Sequence, residues 1–288
     1  MQHVPWMNAW LVVTAVAVGA TACSPRTEVR QYDLTGQVLG VRRELKEIVI
    51  KHDDIPGFMP GMTMPFRVRE AKWLDSVVPG ALVRARLVLD ENGPYLSEVH
   101  PTGRMAPLPE TYTVPTVLDP PLEPGALVPD VTLMDHTGRP FTIRSMRGAP
   151  FAVTFTYTRC PLPTYCPAQD RRFAELQRAI RERPDLAGSR LLSISIDPDY
   201  DRPDVLRRHA IALGADEAVW RFATGEREDI LRFGSNFALS VMVEGTDPAD
   251  LVHSVRMAVI DSENRLVRRY DGTEWRVTDV LQDLAAAR

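Results

Sequence analysis

FAVTFTYTRCPLPTYCP, residues 151–167, is the stretch that decides the fold of the longer half of this chain. Phe151–Tyr157 is a short apolar run that suits a buried strand. Cys166 stands immediately before Pro167, and proline fits the first position of a helix because its missing N–H would find no partner there. Downstream, Ala168–Arg183 places Phe173, Leu176 and Ile180 at i, i+3 and i+7, the stripe of an amphipathic helix. The reading is therefore strand, loop, helix, with Cys160 and Cys166 at the two ends of the loop. Unpaired N–H groups and the dipole at the helix N-terminus predict that Cys166 favours its thiolate form.

Working outward, Leu191–Ile196 reads as a second buried strand. Asp204–Leu213 and Arg227–Phe233 read as helices, the latter with Thr224 as its N-cap. Val255–Ile260 and Leu266–Tyr270 read as a hairpin around Asp261-Ser262-Glu263-Asn264, followed by a helix near Val277–Leu284. Strands alternating with helices over 125–288 predict an α/β domain around a central sheet. Two cysteines on a strand–loop–helix are the arrangement of thioredoxin-like redox sites, here with C-x5-C spacing. That loop can close a disulfide and also leaves room for two sulfurs on a metal.

The N-terminal half has another character. Over 32–100, β-type runs (YDLTGQVLGV, EIVIKH, FRV, ALVRARLVL, PYLSEVH) alternate with turn signals, which predicts a small all-β, five-stranded barrel. Seven prolines between Pro101 and Pro124 read as an interdomain linker. A length of 288 residues agrees with roughly two domains. A hydrophobic share of 44% and a charged share of 25% exclude a disordered or multi-span membrane chain. The net charge of −4 offers no global basic field for nucleic acid. Three cysteines, Cys23, Cys160 and Cys166, are too few for a four-cysteine zinc or iron–sulfur site. Motifs for phosphate loops, dinucleotide binding, zinc proteolysis and serine hydrolysis are absent.

No charged residue precedes Arg26, and Ala9–Ala22 is apolar apart from its threonines. That run is short for a membrane span and fits the h-region of a secretory signal over 1–22, followed by a tether over 23–31. Ala20-Thr21-Ala22 followed by Cys23 resembles a bacterial lipobox, although Ala20 stands where leucine is usual. Cys23 is the expected lipidation site and membrane anchor; plain cleavage after Ala22 is the alternative. Either route predicts an exported, periplasmic protein whose thiols meet an oxidising compartment.

TFTYTRCP…CP, ISIDPDYD at 194–201 and LVHSVRMAVID at 251–261, in that order, resemble the Sco/SenC family of copper proteins. The resemblance implies a thioredoxin-like fold and copper held by Cys160, Cys166 and His253. The departure is the loop, five residues between the cysteines where the family usually has three. Two thiolates with an imidazole do make a soft site suited to Cu(I), with Cu(II) left open. A structural disulfide is the plainer alternative for the cysteines. Asp197 and Asp201 stand as partners that orient His253, or as members of a surface turn.

Met59, Met62 and Met64, three of ten methionines, fall within GFMPGMTMPF. In an extended segment Met62 and Met64 share a face. His52 closes the preceding strand, and thioether with imidazole selects Cu(I) or Ag(I). This half resembles the CusF-type periplasmic copper-binding domain, which implies His52, Met62 and Met64 as ligands. Met59 stands where the best-known form has a covering tryptophan, and reads as a fourth sulfur ligand or an apolar lid. Methionine as flexible core filler is the alternative.

The expectation is an exported metallochaperone carrying copper on two sites. By resemblance its partner is the copper centre of cytochrome c oxidase, or another periplasmic copper protein. Two rivals remain: a periplasmic thiol–disulfide oxidoreductase using Cys160 and Cys166, and a copper-sequestering resistance protein.

Overall fold

The computed structural model describes residues 29–90, 93–109, 120–243, 251–273 and 275–288. Cys23 and the signal expected over 1–22 lie outside them.

Alternating apolar residues build the first domain. Strands β1 (Arg30–Arg42), β2 (Glu47–His52), β3 (Met62–Arg67), β4 (Ala81–Asp90) and β5 (Gly93–Met105) form one antiparallel sheet in the order β3-β2-β1-β4-β5. Leu34, Val38, Ile48, Ile50, Phe66, Leu87 and Leu96 meet in its core. A one-turn helix, α1 (Lys72–Asp75), lies between β3 and β4. The two edges approach at the Val68–Leu96 bridge, where the Arg69 N–H donates to Leu96 O at 3.1 Å. The five strands thus take the small barrel-like form expected, and among the described residues this bridge is what joins its edges.

Gly36 fixes the spacing of β1 and β2. A Cβ there would lie 2.4 Å from Lys51 O and 2.7 Å from His52 Cα, so only glycine lets the strands approach this closely.

β5 continues through Met105, into the proline-rich stretch read as linker. Pro101 pairs with Val83 on β4, and because β5 is an edge strand its missing N–H removes no ladder bond. Ala106 and Pro107 remain held to the sheet through the Gln37 side-chain amide.

The second domain is the α/β layer structure expected. Its sheet contains β6 (Thr132–Asp135), β7 (Pro140–Thr142), β8 (Phe151–Thr156), β9 (Arg190–Ser195), β10 (Trp220–Thr224), β13 (Arg256–Ile260) and β14 (Leu266–Asp271), in the order β14-β13-β8-β9-β10-β6-β7. A short separate pair, β11 (Val241–Val243) and β12 (Leu251–His253), runs antiparallel. β8, β9 and β10 are parallel at the centre, and every residue of β8 is buried. Helices α2 (Cys166–Glu182), α3 (Pro203–Leu213) and α5 (Val277–Ala286) cover one face through Phe173, Leu206 and Leu284. Helix α4 (Arg227–Ser235) covers the other through Ile230 and Phe233. Thr224 is not the cap of α4: it ends β10, and Glu226 occupies the N-cap position without a side-chain bond.

The domains dock through buried charge. Glu47 of β2 is 1% exposed and is gripped by Arg42 and, at 2.5 Å, by Arg256 Nη2 of β13. Arg256 also donates to Ala238 O at 3.1 Å, and Asp271 pairs with Arg67 across the seam.

Candidate metal centre

The cysteine loop leaves the end of β8 and is fastened by two buried aspartates. Asp201 accepts from the Thr158 N–H at 3.0 Å and from Ser195 Oγ at 2.6 Å; Asp197 receives Arg159 at 2.6 and 3.0 Å. Their hydrogen bonds go to the cysteine loop and to Ser195 and not to His253, against one of the two readings of the DPDYD loop. They hold the two residues immediately before Cys160, so they position the loop rather than the imidazole. That role was hidden because it joins residues 38 to 43 positions apart.

Beyond Arg159 the loop opens: Cys160 is half-buried, and Pro161, Pro163 and Thr164 are exposed. Cys166, at the start of α2, is 2% exposed. Both thiols are free. Their acidities reverse the expectation. A hydrogen bond from Cys166 pulls Cys160 down to about 6, whereas that bond, burial and the neighbouring Cys160 charge push Cys166 well above the ordinary thiol. The helix N-terminus is outweighed because the hydrogen bond between the two sulfurs favours the Cys160 thiolate at the expense of Cys166, and burial adds to the shift of Cys166.

His253 ends β12 and brings Nε2 to 3.7 Å from Cys166 Sγ. Its Nδ1 lies 3.1 Å from Ser254 O; a carbonyl only accepts, so Nδ1 carries the proton and Nε2 presents a lone pair to the sulfur. Tyr157 sits edge-on against this ring and donates to Leu251 O at 3.3 Å. Burial pushes His253 down to about 4 from 6.5. The metal-free protein is therefore expected to lose stability with acid. Between those two values an unfolded chain takes up a proton that the folded site refuses, so folding weakens as pH falls through the window, by up to about 3 kcal/mol. Denaturant midpoints followed from neutral pH downward check this, and His253→Gln should flatten the slope.

In the first domain, register brings the expected ligands together. His52 is the direct partner of Met62, and Met64 follows two residues along, opposite Ile50. His52 is buried, with Nδ1 at 2.7 Å from Asp53 O, so here too Nε2 carries the lone pair. Met59 closes a tight loop with Ile55 and is buried on the barrel core.

Part of each set shares one cavity. Met62 and Met64 form one wall of a cavity of about 40 Å³ whose other walls include Cys160, Tyr157 and His253. Tyr165, the last residue of the cysteine loop, enters the seam and packs on the barrel core, where burial pushes its phenol up to about 12. Sequence reasoning missed this residue; its only signal was the length of the loop. Among the described residues, no three His, Cys, Asp or Glu side chains already stand as a metal cage.

Fold and geometry define a thioredoxin-like domain carrying two free cysteines beside a histidine, docked on a small β domain whose methionines line the same cavity. The chain belongs to the SCO1/SenC family, whose profile matches residues 120–287. Residues 31–101 match the family described as copper binding periplasmic protein CusF. Both are copper-binding families. The SCO1 protein homolog of Bacillus subtilis (strain 168) is 23% identical over 159 residues, 54% of this chain and 80% of that protein. The mitochondrial Protein SCO2 homolog of Mus musculus is 29% identical over 80 residues, 28% of this chain and 31% of that one. A SCO1/SenC family lipoprotein from Bacillus anthracis str. Ames has the same fold, with a TM-score of 0.51 and 23% identity over 57% of this chain and 95% of its own. No helix among the described residues is long and apolar enough to cross a membrane.

Proposed function

We propose that the protein is an exported copper metallochaperone with two Cu(I) sites, one of Cys160, Cys166 and His253 and one of His52, Met62 and Met64, with Met59 beside it. The observation that carries the reading is the lone pair of His253 Nε2 held 3.7 Å from Cys166 Sγ, with Cys160 on the adjoining loop. Thiolates, thioethers and neutral imidazoles prefer a soft monovalent cation, and hard cations gain little from them. The client that this family membership favours is the copper centre of cytochrome c oxidase. Cys23 as lipid anchor completes the proposal. Copper stoichiometry on the reduced mature protein tests it: two per chain is expected, and one removes one of the sites.

A second reading is favoured by the acidic Cys160 beside a free Cys166, a pair suited to thiol–disulfide exchange. Disulfide-reductase activity that is robust and independent of copper would favour it over delivery.

A further inference from the structure

The feature that this function leaves unused is Tyr165. It belongs to the second domain's cysteine loop, one residue before Cys166, yet its ring packs against the core of the first domain. Its hydroxyl lies 3.8 Å from Met59 Sδ and 3.6 Å from Met64 Sδ. A thioether has no proton to give, so Tyr165 is the donor and its single O–H is aimed at the sulfur lone pairs. Those are the lone pairs a soft cation needs. Each sulfur has two lone pairs and the single O–H engages one sulfur at a time, so a cation at the others meets the positive end of the O–H dipole at close range, and the two disfavour each other.

The loop makes this contact more than local. The Tyr165 N–H donates to Leu162 O at 3.0 Å, so residues 162–165 turn as one unit, and Tyr165 is joined directly to Cys166. The stretch upstream of that turn is anchored at Thr158 and Arg159, and between the anchor and the helix Pro161, Pro163 and Thr164 are exposed.

We propose that Tyr165 is a gate between the two copper sites: its hydroxyl holds the Met59 and Met64 sulfurs while no metal is there, and metal at the methionines displaces it together with the cysteine loop. This rests on the two-site copper reading above and adds a coupling to it. Occupation of the methionine site works against the closed loop, and the closed loop works against occupation, by the same factor in both directions.

Silver(I), which shares the soft preference of Cu(I) without its redox chemistry, tests the gate on the full chain. Cys160→Ser/Cys166→Ser confines the metal to the methionine side. In that background Tyr165→Phe and Tyr165→Ala should each bind Ag(I) about tenfold tighter than the chain that keeps Tyr165, the effect of removing one or two weak hydrogen bonds. Methyl-labelled methionine gives the second readout: nuclear Overhauser contacts between the Tyr165 ring and the Met59 and Met64 methyls should be present without metal and vanish on loading. Unchanged or weaker binding in both variants, or contacts that persist in the loaded protein, overturns the gate while leaving the methionine site intact. Failure of the double-serine chain to take up any silver overturns the methionine site and the gate with it.

Discussion

Cys166→Ser is expected to remove high-affinity Cu(I) binding from the second domain, lowering its affinity by more than the roughly 10–100-fold that loss of an outer partner of a ligand costs. Serine fills nearly the same volume, and its hydroxyl can donate to His253 Nε2 where the thiol stood at 3.7 Å. The fold should therefore survive, while a hard oxygen replaces the soft sulfur. Competition with a chromogenic Cu(I) chelator measures the loss, and stoichiometry should fall from two to one. A variant that still holds two copper ions at parental affinity would show that Cys166 is not a ligand. The same change at Cys160 should also lower affinity, and it removes the acidic member of the pair.

Glu47→Ala is expected to be the most destabilising substitution at the seam. The carboxylate is 1% exposed and lies between Arg42 and Arg256, themselves nearly buried. Removing one member of a buried ion cluster leaves the opposite charge desolvated without compensation, at a cost of about 3–5 kcal/mol. Because Arg256 belongs to the other domain, part of this cost should appear as undocking. Denaturant unfolding should separate into two transitions, and small-angle scattering should report a larger radius. Glu47→Gln, which keeps a hydrogen-bond acceptor, should fall between the two. A single transition at the parental midpoint would show that docking does not depend on this cluster.

The parts of the molecule legible in the sequence are those specified locally. Phe151–Tyr157 announces a buried strand by its run of apolar residues, and Cys166-Pro167 announces a helix start by the chemistry of proline. The spacing of Met62 and Met64 placed them on one face once the segment was extended, and β3 is extended. What escaped was set by tertiary neighbours. The acidity of the cysteines follows from the hydrogen bond between them and from the burial of Cys166, and no local motif encodes either. Asp197 and Asp201 were singled out as a pair, but their targets were fixed by how β9 ends beside the loop. Glu47 reads as an unremarkable strand residue until Arg256 arrives from 209 positions away. Tyr165 sat in plain view inside a loop longer than the family's usual one, with no way to tell that its side chain crosses to the other domain.

The two aspartates beneath the cysteine loop have a consequence for conformational entropy. Thr158 and Arg159 are fixed in the folded chain, and Cys166 is fixed by α2, so only the short span Cys160–Thr164 lies between fixed points when two sulfurs converge. Ordering a residue's backbone costs about 1–2 kcal/mol, and closing so short a span adds little beyond that. Most of the ordering that a two-sulfur site demands is thus completed during folding, before any ligand arrives. Asp201→Asn would work against this by loosening Thr158, and so lengthening the span that must be ordered, rather than by touching a donor atom.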